Sequence, residues 1–236
     1  MALSMKTVSA RPVAAARVVA PRAASRPLWL PGSTPPKHLD GSLPADYGFD
    51  PLNLAAAPGA LKWNQQSEII HCRFAMLAVA GILIPGAIIP GFAQWYDAGE
   101  RALSGSPFPY ATLVAIEIYL MGWAESKRWM DIRKPGSQGE PGSFLGLEGM
   151  LKGTDQVGYP GGPFNPMGMG KDNMKEMQTK EIKNGRLAMV AFMGFVAQHA
   201  ATGKGPLQAL GDHLANPWAN NFATNGISIP TGNLRF

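Results

Sequence analysis

Eight side chains of metal-ligand type stand singly along apolar or amphipathic stretches: Glu68, His71, Glu117, Glu125, Glu181, Asn184, Gln198 and His213. Glu68 and His71 are three positions apart, as are Glu181 and Asn184, which sets each couple on one face of a helix. Gln198 follows Asn184 by close to four helical turns and returns to the same face about 21 Å further on. Glu117 and Glu125 belong to a different segment, and His213 to a third. Residues distributed in this way do not converge on one reaction centre. No nucleophile–base constellation and no phosphate-binding glycine fingerprint accompanies them. A zinc or calcium site built from protein alone requires its ligands to cluster. A metal already held by a macrocycle requires one axial ligand, and magnesium accepts nitrogen or oxygen donors. Each residue taken alone reads as well as a hydrogen-bonded core side chain; the spaced set is what points to repeated single-ligand sites.

Two of the glutamates sit in an internal repeat. Residues 68–81 (EIIHCRFAMLAVAG) align without gaps on residues 181–194 (EIKNGRLAMVAFMG) at an offset of 113, with seven identities in fourteen. Upstream, FDPLNL (49–54) matches FNPMGM (164–169). The unit is a turn, a short linker and a polar-headed apolar helix, and the middle segment has no twin. Glu68 and Arg73 are five apart and therefore about 140° apart around a helix, too far to pair well within it. Across a pseudo-twofold axis, Glu68 meets Arg186 and Glu181 meets Arg73. A buried charge is costly unless paired, so two such pairs would clamp the helices; the alternative is that each charge reaches water at an interface. A glutamate neutralised by arginine is also a charge-balanced magnesium ligand. Chlorophyll, which supplies four ring nitrogens, meets these requirements.

The elements that must position these groups are long apolar helices. Residues 74–93 form twenty consecutive uncharged positions, enough to span a bilayer, with Pro85 and Pro90 expected to kink or end the helix. Residues 110–124 and 187–201 are two further candidates, short for a bilayer unless their polar flanks also enter it. Residues 206–215 form an amphipathic stretch suited to an interface. The connection between the second and third segments is rich in lysine and arginine, whereas that between the first and second has only Arg101. The basic side and the mature N-terminus therefore stay on the side of insertion. A soluble four-helix protein would have to bury the uncharged run entirely. Inverted repeats with intramembrane charges also mark transporters, but three spans and mutually balanced charges leave no ion path.

Charged residues make up 16% of the chain, below the roughly 25% of soluble domains. The net charge of +5 resides in residues 1–26, which hold five cations and no acid, so it gives no reason to expect nucleic acid. That Ala-, Ser- and Arg-rich stretch has the composition of an organelle transit peptide. The remainder, 27–236, is one pigment-binding domain. The single Cys72 excludes an internal disulfide.

The chain resembles the chlorophyll a/b-binding light-harvesting proteins over essentially all of residues 27–236. The resemblance rests on DYGFDPL, ExxHxRxAML, YPGGPFNP, KEIKNGRLAM, TGKGPL and DHLANPW. It implies an all-α membrane protein with three transmembrane helices, two of them crossed and related by pseudo-twofold symmetry, plus short amphipathic helices. It implies that the eight residues above are chlorophyll magnesium ligands, that Arg73 and Arg186 are their ion-pair partners, and that Gly81 holds a chlorophyll through its backbone and a water. Asp50, Pro51, Asn165 and Pro166 fall at the turns that anchor carotenoid head groups. The implied cofactors are chlorophyll a, chlorophyll b, lutein-type xanthophylls, β-carotene and a structural lipid. Glu117, in place of a glutamine, together with WLPG, HCRFAM and KRWMDIRKPGS, resembles the photosystem I branch. His71, where the most red-shifted members carry asparagine, implies moderate red absorption. The implied role is non-enzymatic light harvesting in the chloroplast thylakoid membrane, with a stromal N-terminus. The implied partners are the photosystem I core, neighbouring antenna subunits and thylakoid lipids, with no small-molecule substrate. The alternatives are a photosystem II antenna or an energy-dissipating relative of the same fold.

Overall fold

The computed structural model describes residues 26–89, 91–151, 156–170 and 172–228. Apart from Arg26, the expected transit peptide lies outside the described residues. Among them the regular structure is entirely helical. Three long helices, α1 (Ala60–Ile88), α3 (Tyr110–Arg133) and α4 (Met174–Thr202), are joined by the short α2 (Ala98–Ser104) and followed by α5 (Pro206–Ala215). Three single 3-10 turns punctuate the long connection between α3 and α4.

Local signals account for the ends. Helix α3 begins directly after Pro109, and α5 has Pro206 in its first turn, where a missing amide donor is harmless. Helix α4 stops at Gly203, whose φ of 67° lets its N–H turn back to the carbonyl of His199 at 2.7 Å. Pro85 does not end α1. The helix runs through it for three more residues to Ile88. The polar flanks of the second and third apolar segments are helical too, so α3 extends to Arg133 and α4 begins at Met174.

The core is thin and lies where α1 crosses α4. From α1 it takes Ile69, Cys72 and Ala75; from α4 it takes Ile182, Gly185 and Ala188. Each residue of one trio is the repeat twin of one in the other. At the centre the twins Cys72 and Gly185 meet: a β-carbon added to Gly185 would overlap the Cys72 side chain and come within 2.9 Å of its Cα. The pseudo-twofold axis therefore passes between these two residues, and only a residue without a side chain permits the approach.

Two ion pairs flank the crossing. Arg186 Nε donates to Glu68 Oε1 at 2.7 Å, and Arg73 Nε donates to Glu181 Oε1 at 2.7 Å. Each arginine also donates through Nη1 to a loop carbonyl at 2.9 Å, Arg186 to Ala45 and Arg73 to Gly158. Ala45 and Gly158 are again repeat twins, and both hold positive φ, 53° and 86°. The left-handed turn of the incoming chain is what aims each carbonyl at its arginine.

Helix α3 is differently placed. Ile132 is its one buried residue. Its ties to α1 lie near its C-terminal end, where Trp63 and Trp129 meet edge to face at 5.3 Å and Lys62 Nζ donates to the Ile132 carbonyl at 3.3 Å. Ile118, Tyr119 and Leu120 higher on α3 are exposed, as are Leu77 on α1 and Val190 on α4. Among the described residues α1 alone is both long and apolar enough to cross a membrane, with a mean hydropathy of 1.8 and only 17% of its most apolar window buried.

Two outcomes follow from the crossing. Gly185→Cys should prevent a stable fold, since overpacking at a backbone contact costs roughly 1–3 kcal/mol or more. Adding Cys72→Gly should restore it, because the twin positions are interchangeable; thermal melting of the refolded protein reads both. Arg186→Leu strands Glu68 and should destabilise by about 3 kcal/mol, whereas Glu68→Leu combined with Arg186→Leu should recover most of that stability.

Candidate functional site

Before each crossed helix the chain makes the same turn. Asp50 Oδ1 accepts from the N–H of Leu54 at 3.0 Å, and Asn165 Oδ1 accepts from the N–H of Met169 at 3.0 Å. Asp50 Oδ2 also accepts from the N–H of Ala55 at 3.0 Å and meets His38 Nε2 at 2.8 Å. The amide of Ala55, then those of Leu54 and the His38 ring, hold the Asp50 carboxyl below the ordinary carboxylate range against its desolvation. These side chains are consumed in building the turns. Pro51 is exposed beside Asp50, and Pro166 sits in the matching place beside Asn165.

The first turn roofs a cavity of about 1080 Å³, larger than most small-molecule pockets. Trp29, Tyr47, Phe49 and Asp50 line it from the N-terminal segment, and Glu68, His71, Arg186 and Met189 line it from α1 and α4. Arg26 pairs with Asp46 and donates to the Leu39 carbonyl, which ties this segment down.

The ligand-type residues share a geometry that their spacing alone does not reveal. His71 Nδ1 bonds the carbonyl of Ser67, four residues back, at 2.8 Å. Nδ1 therefore carries the proton and Nε2 keeps its lone pair without a protein partner. Asn184, the repeat twin of His71, donates from Nδ2 to the carbonyl of Lys180 at 2.9 Å, again four residues back, and leaves Oδ1 free. His213 Nδ1 bonds the carbonyl of Asn220 at 2.6 Å, which likewise leaves Nε2 free. In all three, an internal hydrogen bond fixes the rotamer and presents one exposed donor atom. Glu68 fits the pattern, with Oε1 on Arg186 and Oε2 without a partner. Glu117 and Gln198 are exposed. Gly81 is exposed on α1, and its carbonyl lacks the usual amide four residues on because that residue is Pro85.

Glu125 and Glu181 depart from it. Glu125 takes both Nε and Nη2 of Arg128, one helical turn on, so its charge is balanced within α3. Glu181 is engaged at both oxygens, Oε1 by Arg73 and Oε2 by the Tyr159 hydroxyl at 2.8 Å. Burial, and then the bond to Glu181, push the Tyr159 phenol well above its ordinary range, so it remains a donor. Arg128, Tyr159 and the carbonyls of Ala45 and Gly158 are missing from the sequence reading. Arg128 was accessible through its spacing of three from Glu125; the others depend on how the loops return to the helices.

Gln198 and His213 are brought to the rim of a second cavity of about 640 Å³, between the end of α4, α5 and residues 219–228. Glu68 and His71 share the first cavity, Glu117 and Glu125 stand apart on α3, and the eight do not meet. Among the described residues no three His, Cys, Asp or Glu side chains gather to hold an ion. Each centre offers a single oxygen or nitrogen beside open apolar surface. That donor set fits a hard metal held on its other sides by a macrocycle.

Comparison with known proteins agrees with this geometry. The family model described as "Chlorophyll A-B binding protein" matches residues 35–200. A tomato (Solanum lycopersicum) protein, chlorophyll a-b binding protein 7, chloroplastic, is 52% identical over 81% of this chain and 72% of its own length. Photosystem I chlorophyll a/b-binding protein 5, chloroplastic, of Arabidopsis thaliana is 49% identical over 83% of this chain and 78% of its own. A further Arabidopsis relative, photosystem I chlorophyll a/b-binding protein 3-1, chloroplastic, is 45% identical over 90% and 84%. A shared crossing, repeated turns and single exposed ligands thus coincide with extensive sequence identity, and the chain belongs to the chlorophyll a/b-binding protein family.

Proposed function

We propose that the chain is a light-harvesting subunit of photosystem I that holds chlorophyll a, chlorophyll b and carotenoids in the thylakoid membrane of the chloroplast. The observation that carries this reading is the exposed apolar surface of three long helices, set with single unpartnered donor atoms. Protein covers little of α3, and a 24-residue helix stripped of partners needs another apolar material around it. Pigment rings and lipid supply that material. Bound chlorophyll absorbs light and exchanges excitation with neighbouring rings. The chain's own part is to fix where the rings sit, which way they face and which donor meets each metal. No catalytic step is involved.

In this reading α1, α3 and α4 all cross the bilayer. At 1.5 Å per residue, α3 reaches about 36 Å, longer than a hydrocarbon core of about 30 Å. The ends of α3 and α4 carry their charges into the headgroup region, and α5 lies along the opposite interface. The basic connection between α3 and α4, with the mature N-terminus, faces the stroma. Residues 1–26 act as the transit peptide, with cleavage near Arg26. Glu68, His71, Glu117, Glu125, Glu181, Asn184, Gln198 and His213 ligate magnesium directly, and Gly81 does so through a water. Arg73 and Arg186 balance the charge of their glutamates. The turns at Asp50–Pro51 and Asn165–Pro166 receive the head groups of two lutein-type xanthophylls through their backbone; β-carotene and a structural lipid occupy the periphery. The assignment to photosystem I rests on the relatives named for it and on Glu117.

Two measurements check this. A tagged chain expressed in chloroplasts should co-purify with the photosystem I core and other antenna subunits; recovery with a photosystem II core instead would overturn the assignment. Refolded with pigments, Glu125→Leu should lose about one chlorophyll per chain while its helical content stays unchanged.

A further inference from the structure

The two crossed-helix glutamates are twins in sequence but not in bonding, and this difference rests on the ligand reading above. Glu68 receives one donor, Arg186 Nε on Oε1, and no protein group reaches Oε2. Glu181 receives two, Arg73 Nε on Oε1 and the Tyr159 hydroxyl on Oε2. The residue that aligns with Tyr159 at the repeat offset is Asp46. It cannot play the same part, because a carboxylate has no proton to give. Asp46 instead turns toward Arg26 and accepts from the N–H groups of Gly41 and Gly48, each at 2.8 Å. Tyr159 is held in place from a second direction, since the Arg73 guanidinium lies over its ring at 5.0 Å.

We propose that Tyr159 is a positioning residue that makes the Glu181 site electronically distinct from its Glu68 twin. A hydroxyl bonded to an ionised carboxylate is a strong, charge-assisted donor. It draws electron density from Oε2 and stops the carboxylate from rotating. Outer hydrogen bonds of this kind alter the basicity of a metal ligand. The Glu181 carboxylate is therefore the weaker and more rigidly held axial donor, and Glu68 the stronger and freer one. Two pigments placed symmetrically by the fold then acquire different site energies. In an antenna such a difference gives excitation a preferred direction across the crossing.

Tyr159→Phe isolates the effect, because it keeps the ring, and with it the contact to Arg73, while deleting the donor. After refolding with pigments, Tyr159→Phe should retain the full chlorophyll count. Its low-temperature absorption difference against wild type should be the displaced band of a single chlorophyll. That difference should vanish when both proteins carry Glu181→Leu. Placing 3,5-difluorotyrosine at 159, a stronger donor of nearly the same shape, should displace the band in the opposite direction, and it tests the proposal even if the Phe variant refolds poorly. Superimposable spectra for Tyr159→Phe and wild type would overturn the proposal while leaving the ligand reading intact. So would a difference that persists with Glu181→Leu. If Glu181→Leu itself kept every chlorophyll, the ligand reading of this site would fall, and the proposal with it.

Discussion

Everything in this structure depends on pairing four charges that apolar helices carry into low-dielectric surroundings. Glu68, Arg73, Glu181 and Arg186 cannot be left uncompensated there. Because glutamate and arginine lie on different faces of their own helix, each finds its partner only on the other helix. The pairing therefore dictates a crossing, and the crossing dictates its register. Ile69, Cys72 and Ala75 then meet their twins Ile182, Gly185 and Ala188, with glycine placed where the backbones approach most closely. The incoming loops complete the arrangement by lending the Ala45 and Gly158 carbonyls to the arginines. Clamp, core and loop entry are consequences of one electrostatic requirement.

The same economy governs the ligand atoms. At His71, Asn184 and His213 the inward-facing polar atom is satisfied by a backbone carbonyl, and the outward-facing atom is left for something that is not protein. The apolar surface beside these atoms is far larger than the few residues buried between α1 and α4. A scaffold of this kind has a small core of its own, so whatever binds the native helices contributes directly to their stability. Symmetry places the sites in pairs. Departures from symmetry individualise them: Tyr159 against Asp46, His71 against Asn184, and Pro85, which frees the Gly81 carbonyl on one helix only.

How much was legible in advance follows from the range of the interactions. Both ion pairs and the pseudo-twofold crossing could be read from the 113-residue offset, because a repeat reports symmetry and symmetry determines which residues meet. The paired Asp50 and Asn165 turns were legible for the same reason. Helix ends were less so: the uncharged runs marked the apolar parts of α3 and α4, but the charged flanks continue as helix to Arg133 and back to Met174. Pro85 suggested a stop or a kink, yet α1 runs on to Ile88, since a single missing amide is tolerable near a helix end. Tyr159 and the two loop carbonyls were illegible because nothing local ties a loop residue to a helix more than twenty positions away. Ala45 shows the difficulty well, as its left-handed backbone has no glycine to announce it.

The most direct test of the central claim, that this fold exists to hold chlorophylls in transfer contact, is energy transfer in the reconstituted protein. The chain is refolded in detergent with chlorophyll a, chlorophyll b and xanthophylls, chlorophyll b is excited, and emission from chlorophyll a is recorded. The account predicts a stable green monomer in which chlorophyll b emission is quenched and chlorophyll a emission replaces it. A helical protein that forms without retaining pigment, or that retains pigment without transfer, would contradict it.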